Sequence, residues 1–296
     1  MRSGWFCGRT TNGYTRVRLA LWVAATLLMV LWVVKPMPHR YQLPPPCAVI
    51  TRHPNVGVHT RLTDEVEDWK IQTTLSMVRE MGAPWIVEYF PWAYIEPQQG
   101  HYAWRHSDTV IAHAENQGLR VIARLGMVPA WARPDPDEEE TTFTYLDAAH
   151  YADFAAFVGA FVARYQGAVT EIIIWNEPNL SFEWGYRPVD PVGYVALLSE
   201  VTPVAHQANP DVKVLAGALA PTLEPPGSPA GLNDLLYLEA MYAAGAAPVF
   251  DALAAHAYGL ALAPEVAPDP ALINFRRVEL LREIMDAHGD ADKLIY

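Results

Sequence analysis

Short apolar runs alternate along this chain with longer stretches whose apolar positions fall at helical spacing. "NVGVHT" reads as a first strand. Thr63 to Met81 then carries Val66, Trp69, Ile71, Leu75, Val78 and Met81 at helical intervals. "PWIVEYF", residues 84–90, predicts a second strand, and Ser107 to Gln117 a helix that stops at Gly118. The alternation continues through "LRVIARL", a helix over Asp147 to Tyr165, "TEIIIWN", a helix over Pro191 to Ala208, and "VKVLAGAL". A helix over Gly231 to Ala244, "FDALAAHAY", a helix over Phe275 to His288 and "KLIY" complete it. The last of these opens a seventh strand at Lys293, and the sequence ends at Tyr296.

The strands are continuous apolar runs, the pattern of strands covered on both faces. No antiparallel hairpin signal interrupts the order. Two architectures fit: a doubly wound open sheet, or a (β/α)8 TIM barrel lacking strand eight and most of strand seven. A doubly wound nucleotide-binding sheet would carry a glycine-rich loop after an early strand, and "VGVHTRL" is no G-x-G-x-x-G. The barrel is therefore the expected fold, and the chain is expected to be a C-terminally truncated fragment of one.

The N-terminus follows a different pattern. Leu19 to Val34 is apolar except for Thr26, with Arg2, Arg9, Arg16 and Arg18 before it and Lys35 and Arg40 after it. At about 1.5 Å per residue such a helix nearly crosses the hydrocarbon core, and Arg18 and Lys35 can snorkel at its ends. The positive excess before the run keeps the N-terminus cytoplasmic. The expected organisation is a basic cytoplasmic segment (1–18), a transmembrane signal-anchor (19–34), a proline-rich spacer (35–54) and an extracytoplasmic barrel domain (55–296). Secretion after cleavage of residues 1–38 is the rival, although "KPMPHR" offers no small-x-small cleavage site.

Composition narrows the partners. The chain has 296 residues, 51% of them hydrophobic, and a net charge of −12, a balance that argues against nucleic acid. Its 10 Trp and 14 Tyr suit a core, and equally suit stacking on flat ligands. Two cysteines, Cys7 and Cys47, build neither a disulfide framework nor a zinc site, and no metal or cofactor is expected.

Candidate chemistry lies at the end of strand four. In a barrel the active site is on the face where strands end. Asn176 and Glu177 follow an apolar run there, and Pro178 forces the chain to turn. Spacing alone leaves two readings open, a functional carboxylate or a loop Glu satisfied by a neighbour.

The residues Trp175-Asn176-Glu177-Pro178-Asn179 resemble the strand-four signature of the glycoside hydrolases of clan A. That clan of (β/α)8 barrels includes the cellulase-type family five and the β-xylosidase-type family thirty-nine. "FPWAYIEPQQGHYAW" after strand two, "VPAWA" after strand three and "HAY" at strand six are similar to clan patterns, in the expected order. The resemblance runs from about Asn55 to the end. It implies an O-glycosyl hydrolase acting on an oligo- or polysaccharide by a retaining double displacement. Glu177 would be the general acid/base, and Asn176 would bind the sugar 2-hydroxyl. His256 and Tyr258 would line the cleft, with a core histidine and a packed tyrosine as their alternatives. Trp92 and Trp131 would be sugar platforms or simply core.

Two departures from the clan pattern stand out. Strand two, "IVEYFPW", has no arginine to steady a nucleophile; its only charge is Glu88, which would suit at most an inverting pair. The nucleophile Glu of relatives ends strand seven, which places it beyond Tyr296. A membrane-tethered barrel that binds glycans without cutting them is the alternative function. In the loop after strand four, Phe182, Trp184 and Tyr186 could meet sugar rings, and Asn179-Leu180-Ser181 matches a glycosylation sequon. "RPDPDEEETTF" reads as a solvated lid.

Overall fold

The computed structural model describes residues 17–18, 20–26, 45–134 and 142–296. The chain divides into two units, Met1–Leu43 and Pro44–Tyr296. In the first, residues 20–26 are helical and exposed. The rest of the expected membrane span, residues 1–16 and 35–44 of its flanks, and the acidic run at 135–141 lie outside the described residues. Among the described residues no helix is long and apolar enough to cross a membrane.

The second unit is built on six parallel strands in sequential order. They are β1 (Val58–His59), β2 (Trp85–Pro91), β3 (Arg120–Gly126), β4 (Val169–Ile174), β5 (Lys213–Leu219) and β6 (Ala252–Ala255). A doubly wound sheet reverses its strand order at a switch point, and among the described residues the order runs β1 to β6 without one. Six strands in sequence, each followed by a helix, make an open half of a (β/α)8 barrel. "KLIY" continues the series: Leu253 N–H donates to Leu294 O, and Tyr296 N–H donates to Leu253 O, at 2.9 and 2.8 Å. Leu253 and Ile295 thus pair in parallel.

Alternation along the strands separates two cores. Ile86, Val121, Leu125, Ile172, Ile174 and Val214 face the large core beneath the helices. Ile122, Ile173, Leu215 and Ala254 face the inside of the half-barrel in a smaller cluster. The covering helices are α1 (Asp68–Glu80), α2 (Arg105–Asn116), α3 (Tyr151–Arg164), α4 (Pro191–Ala208), α5 (Asp234–Ala243) and α6 (Val278–Ala287). Local chemistry sets their starts. Asp190 caps α4 through Gly193 N–H at 2.9 Å with Pro191 in the first turn, and Asn233 caps α5 through Leu235 N–H at 3.0 Å.

Between β2 and α3 lies an aromatic layer. Trp92 stacks on Phe157 at 5.8 Å and meets Phe154 edge-on at 5.4 Å. Trp92 is 0% exposed and its indole N–H donates to Glu96 at 2.7 Å. It has no free face for a sugar, so its core alternative holds. Glu88 is equally committed. Its buried carboxylate accepts from Thr60 Oγ1 (2.6 Å), Leu62 N–H (2.9 Å), Thr63 N–H (3.2 Å) and Thr63 Oγ1 (2.9 Å). Those bonds fasten the loop after β1, which removes Glu88 as a catalytic carboxylate.

Candidate active site

β4 delivers its last residues through a turn that ordinary backbone avoids. Trp175 has φ 76° and Glu177 φ 43°, left-handed values unfavourable to side chains with a Cβ. Strain of this kind persists where surrounding contacts over-determine it. Trp175 N–H donates to Leu125 O on β3 at 2.9 Å, and Glu177 N–H to Ala218 O on β5 at 3.1 Å. The β5 partner is itself irregular, with Gly217 at φ 90°, Ala218 at φ 52° and a register shift before Leu219.

Two buried side chains lock this pair of irregularities. Asn179, 0% exposed, accepts from Ala220 N–H at 2.9 Å and donates to Ala220 O and Leu232 O at 2.9 and 3.1 Å. Its amide is fully engaged, so the sequon has no free acceptor in the folded protein. Tyr194 of α4 donates to Ile174 O and accepts from Gly217 N–H, both at 2.7 Å. Tyr194→Phe therefore strands two buried backbone groups. It should lower stability by about 1–3 kcal/mol, read as a lower urea midpoint at unchanged m-value.

The turn places Glu177 beside the end of β6. His256 Nδ1 lies 2.5 Å from Glu177 Oε1, a bond that the imidazole N–H donates when the carboxyl is ionised. His256 N–H donates to Leu219 O at 3.0 Å, which orients the backbone that carries the ring. The Glu177 side chain is 13% exposed and that of His256 27%, enough for a small group to reach them. Tyr258 stands 5.6 Å from the His256 ring and is half-exposed. Partial burial, together with the nearby Glu177 charge, pushes its phenol up.

Asn176 is held at both ends of its amide. Arg124 Nη1 donates to its Oδ1 at 2.7 Å, and its Nδ2 donates to Glu183 Oε1 at 2.8 Å. Arg124 in turn lies over the Tyr89 ring at 4.6 Å. Strand two has no arginine; the arginine beside Asn176 comes from β3. Burial pushes the Glu183 carboxyl up; the Asn176 bond pulls it down and the neighbouring Glu177 pushes it up again. Burial, with Arg124 second, holds His59 at the end of β1 below its ordinary value.

The sequence brought Asn176, Glu177, His256 and Tyr258 forward, and the structure gathers them on the face where the strands end. Trp131 is half-buried, with its indole N–H given to Glu96 O at 3.0 Å and its ring 5.1 Å from Trp92. Trp184, read as a loop aromatic, is 1% exposed, whereas Phe182 and Tyr186 are 46% and 73% exposed. Arg124 and Glu183 were missed. For Arg124 a signal existed: a lone charge inside "VIARLG" is out of place unless it has a partner. Glu183 had none, being one acid in an aromatic loop.

Comparison with known proteins fits this geometry. A family model described as Beta-galactosidase matches residues 63–132. No curated protein matches the chain. Among solved structures, it is similar to a family 39 glycoside hydrolase from the gut symbiont Bacteroides cellulosilyticus WH2, at 22% identity and TM-score 0.61, over 83% of this chain and 48% of that one. A GH39 β-xylosidase from Caulobacter crescentus gives 22% and 0.57, over 86% and 55%. A GH10 endoxylanase retrieved from sugarcane soil metagenome gives 13% and 0.53, over 81% and 65%. The chain spans about half the length of the two family 39 structures. The glycosidase likeness expected from the strand-four motif is met by the family model and by these neighbours. At such identities the structures show the fold.

Proposed function

We propose that this chain carries the acid/base half of a retaining glycosidase acting on O-glycosyl bonds of an oligo- or polysaccharide. The observation that carries the reading is Glu177 itself. It is a partly buried carboxyl on a strained turn at the mouth of the half-barrel, hydrogen-bonded to His256 and next to an oriented Asn176. Glu177 protonates the departing glycosidic oxygen, then takes a proton from the incoming water. His256 fixes the carboxyl's orientation. Asn176 offers its remaining amide hydrogen-bonding capacity to the sugar 2-hydroxyl, and the half-exposed Tyr258 lines the cleft. Leu294–Tyr296 pair in parallel with β6 at Leu253, and the strand to which they belong is the one proposed to carry the nucleophile. A membrane anchor at residues 19–34 would hold the domain outside the cytoplasm, a reading supported by the apolar run and its basic flank.

The test is the anomer first released by the full-length protein from aryl β-glycosides, followed by proton NMR before mutarotation. Two displacements return the β anomer. Release of the α anomer would reject the retaining mechanism. Glycan binding without any hydrolysis would favour the alternative, a tethered binding barrel.

A further inference from the structure

The loop after β4 is held by bonds to its main chain. Trp175 Nε1 donates to the Glu183 main-chain oxygen at 2.7 Å, and Thr144 Oγ1 to Phe182 O at 2.7 Å. Ser181 N–H donates to Ala230 O at 2.9 Å, and the neighbouring Trp184 ring is buried. The carboxylate of Glu183 is nonetheless turned inward, where burial and the charge of Glu177 both oppose its ionisation. Among the described residues, the side chain it meets by a hydrogen bond is Asn176.

An asparagine amide can flip, exchanging donor and acceptor with almost no change of shape. Arg124 and Glu183 together prevent that. Arg124 has only hydrogens to give and selects Oδ1; the Glu183 carboxylate accepts and selects Nδ2. One lone pair on Oδ1 and one hydrogen on Nδ2 are left over. Their directions are fixed before any ligand arrives.

We infer that Glu183 is a positioning residue: through Asn176 it sets how the site recognises the substituent at sugar C2. The inference rests on the glycosidase reading above and extends it to a residue that the strand-four motif does not include. An anchored amide gains more from a hydroxyl whose bond strengthens in the transition state than a rotating one does. Removing Glu183 should therefore lower kcat for 2-hydroxy substrates and leave KM less affected. It should not matter for a substrate that has nothing at C2 to recognise.

The experiment compares a 2-hydroxy aryl β-glycoside with its 2-deoxy counterpart in the full-length protein. Glu183→Ala should reduce kcat for the 2-hydroxy substrate about 10–100-fold, the range of a hydrogen bond to a charged group. The 2-deoxy substrate should show little loss. Glu183→Gln keeps an acceptor and should lose less, with the same selectivity; it carries the test if the alanine variant does not fold. The double variant Asn176→Ala/Glu183→Ala should match Asn176→Ala within about twofold. Equal losses on both substrates, or additive losses in the double variant, would overturn the inference and leave the glycosidase reading standing. Wild-type inactivity on every glycoside would overturn the glycosidase reading first, and this inference with it.

Discussion

Glu177→Gln in the full-length protein is expected to lose about 10²–10⁴-fold in kcat/KM on alkyl glycosides, the usual worth of general acid–base catalysis. The same variant should lose much less in glycosylation of nitrophenyl glycosides. An alkoxide is a strong base and departs only with a proton, whereas a nitrophenolate departs without one. Glutamine keeps the size of the side chain and can still meet His256, so the geometry at 2.5 Å has a substitute acceptor. What is lost is the transferable proton. A plot of log kcat/KM against leaving-group pKa should therefore be steeper for the variant than for the wild type. Parallel lines, displaced by a constant amount, would assign Glu177 a positioning role and transfer the acid function elsewhere.

A second large effect is expected at Arg277. This guanidinium and its partner Asp234 are both 2% exposed. Arg277 Nε donates to the two Asp234 oxygens at 3.0 and 3.1 Å, and Nη2 reaches Asp234 Oδ1 at 2.9 Å and Asn233 Oδ1 at 3.1 Å. Nη1 donates to Pro270 O and Leu272 O at 3.0 and 2.9 Å. One side chain thus ties the start of α5 to the long loop between β6 and α6. Arg277→Met fills the volume but leaves a buried carboxylate without its counter-charge and the carbonyls without donors. The expected loss is about 3–5 kcal/mol, measured by chemical denaturation. Removing both charges, as Arg277→Met with Asp234→Leu, should be milder than the single change, because no unpaired ion remains. If the double variant lost the sum of the two single losses, the pair would have no coupling.

Much of this fold is written locally. "TEIIIWNEP" reads as a strand and a stop because three isoleucines need cover on both faces and proline cannot continue a central strand. That reading put Asn176 and Glu177 at the mouth, where the structure has them. "KLIY" meets β6 through one parallel bridge, Leu253 to Ile295. Element ends were less legible. "FDALAAHAY" yields a strand only over Ala252–Ala255; His256 still gives its N–H to Leu219 O on β5 while its ring meets Glu177. Most obscure were contacts between distant segments. Arg124 stands on β3 and Asn176 in the turn after β4, and Glu183 reaches back only because that turn reverses the chain. Trp92 and Trp131 look alike in sequence. Their different burial depends on α3, whose Phe154 and Phe157 close over one and not the other.

The enclosed Asn179 has a consequence for how the protein can be made. Asn179-Leu180-Ser181 is an acceptor triplet, and a eukaryotic secretory host meets it while the chain is still unfolded. A glycan attached then would have to occupy a position that is 0% exposed, where both amide groups are bonded to Ala220 and Leu232. Modified chains could not close the turn that presents Glu177. Fold and glycan would compete for one nitrogen, and the chains that leave such a host in native form would be those that escaped modification. A host without that machinery, or Ser181→Ala to erase the triplet, avoids the competition.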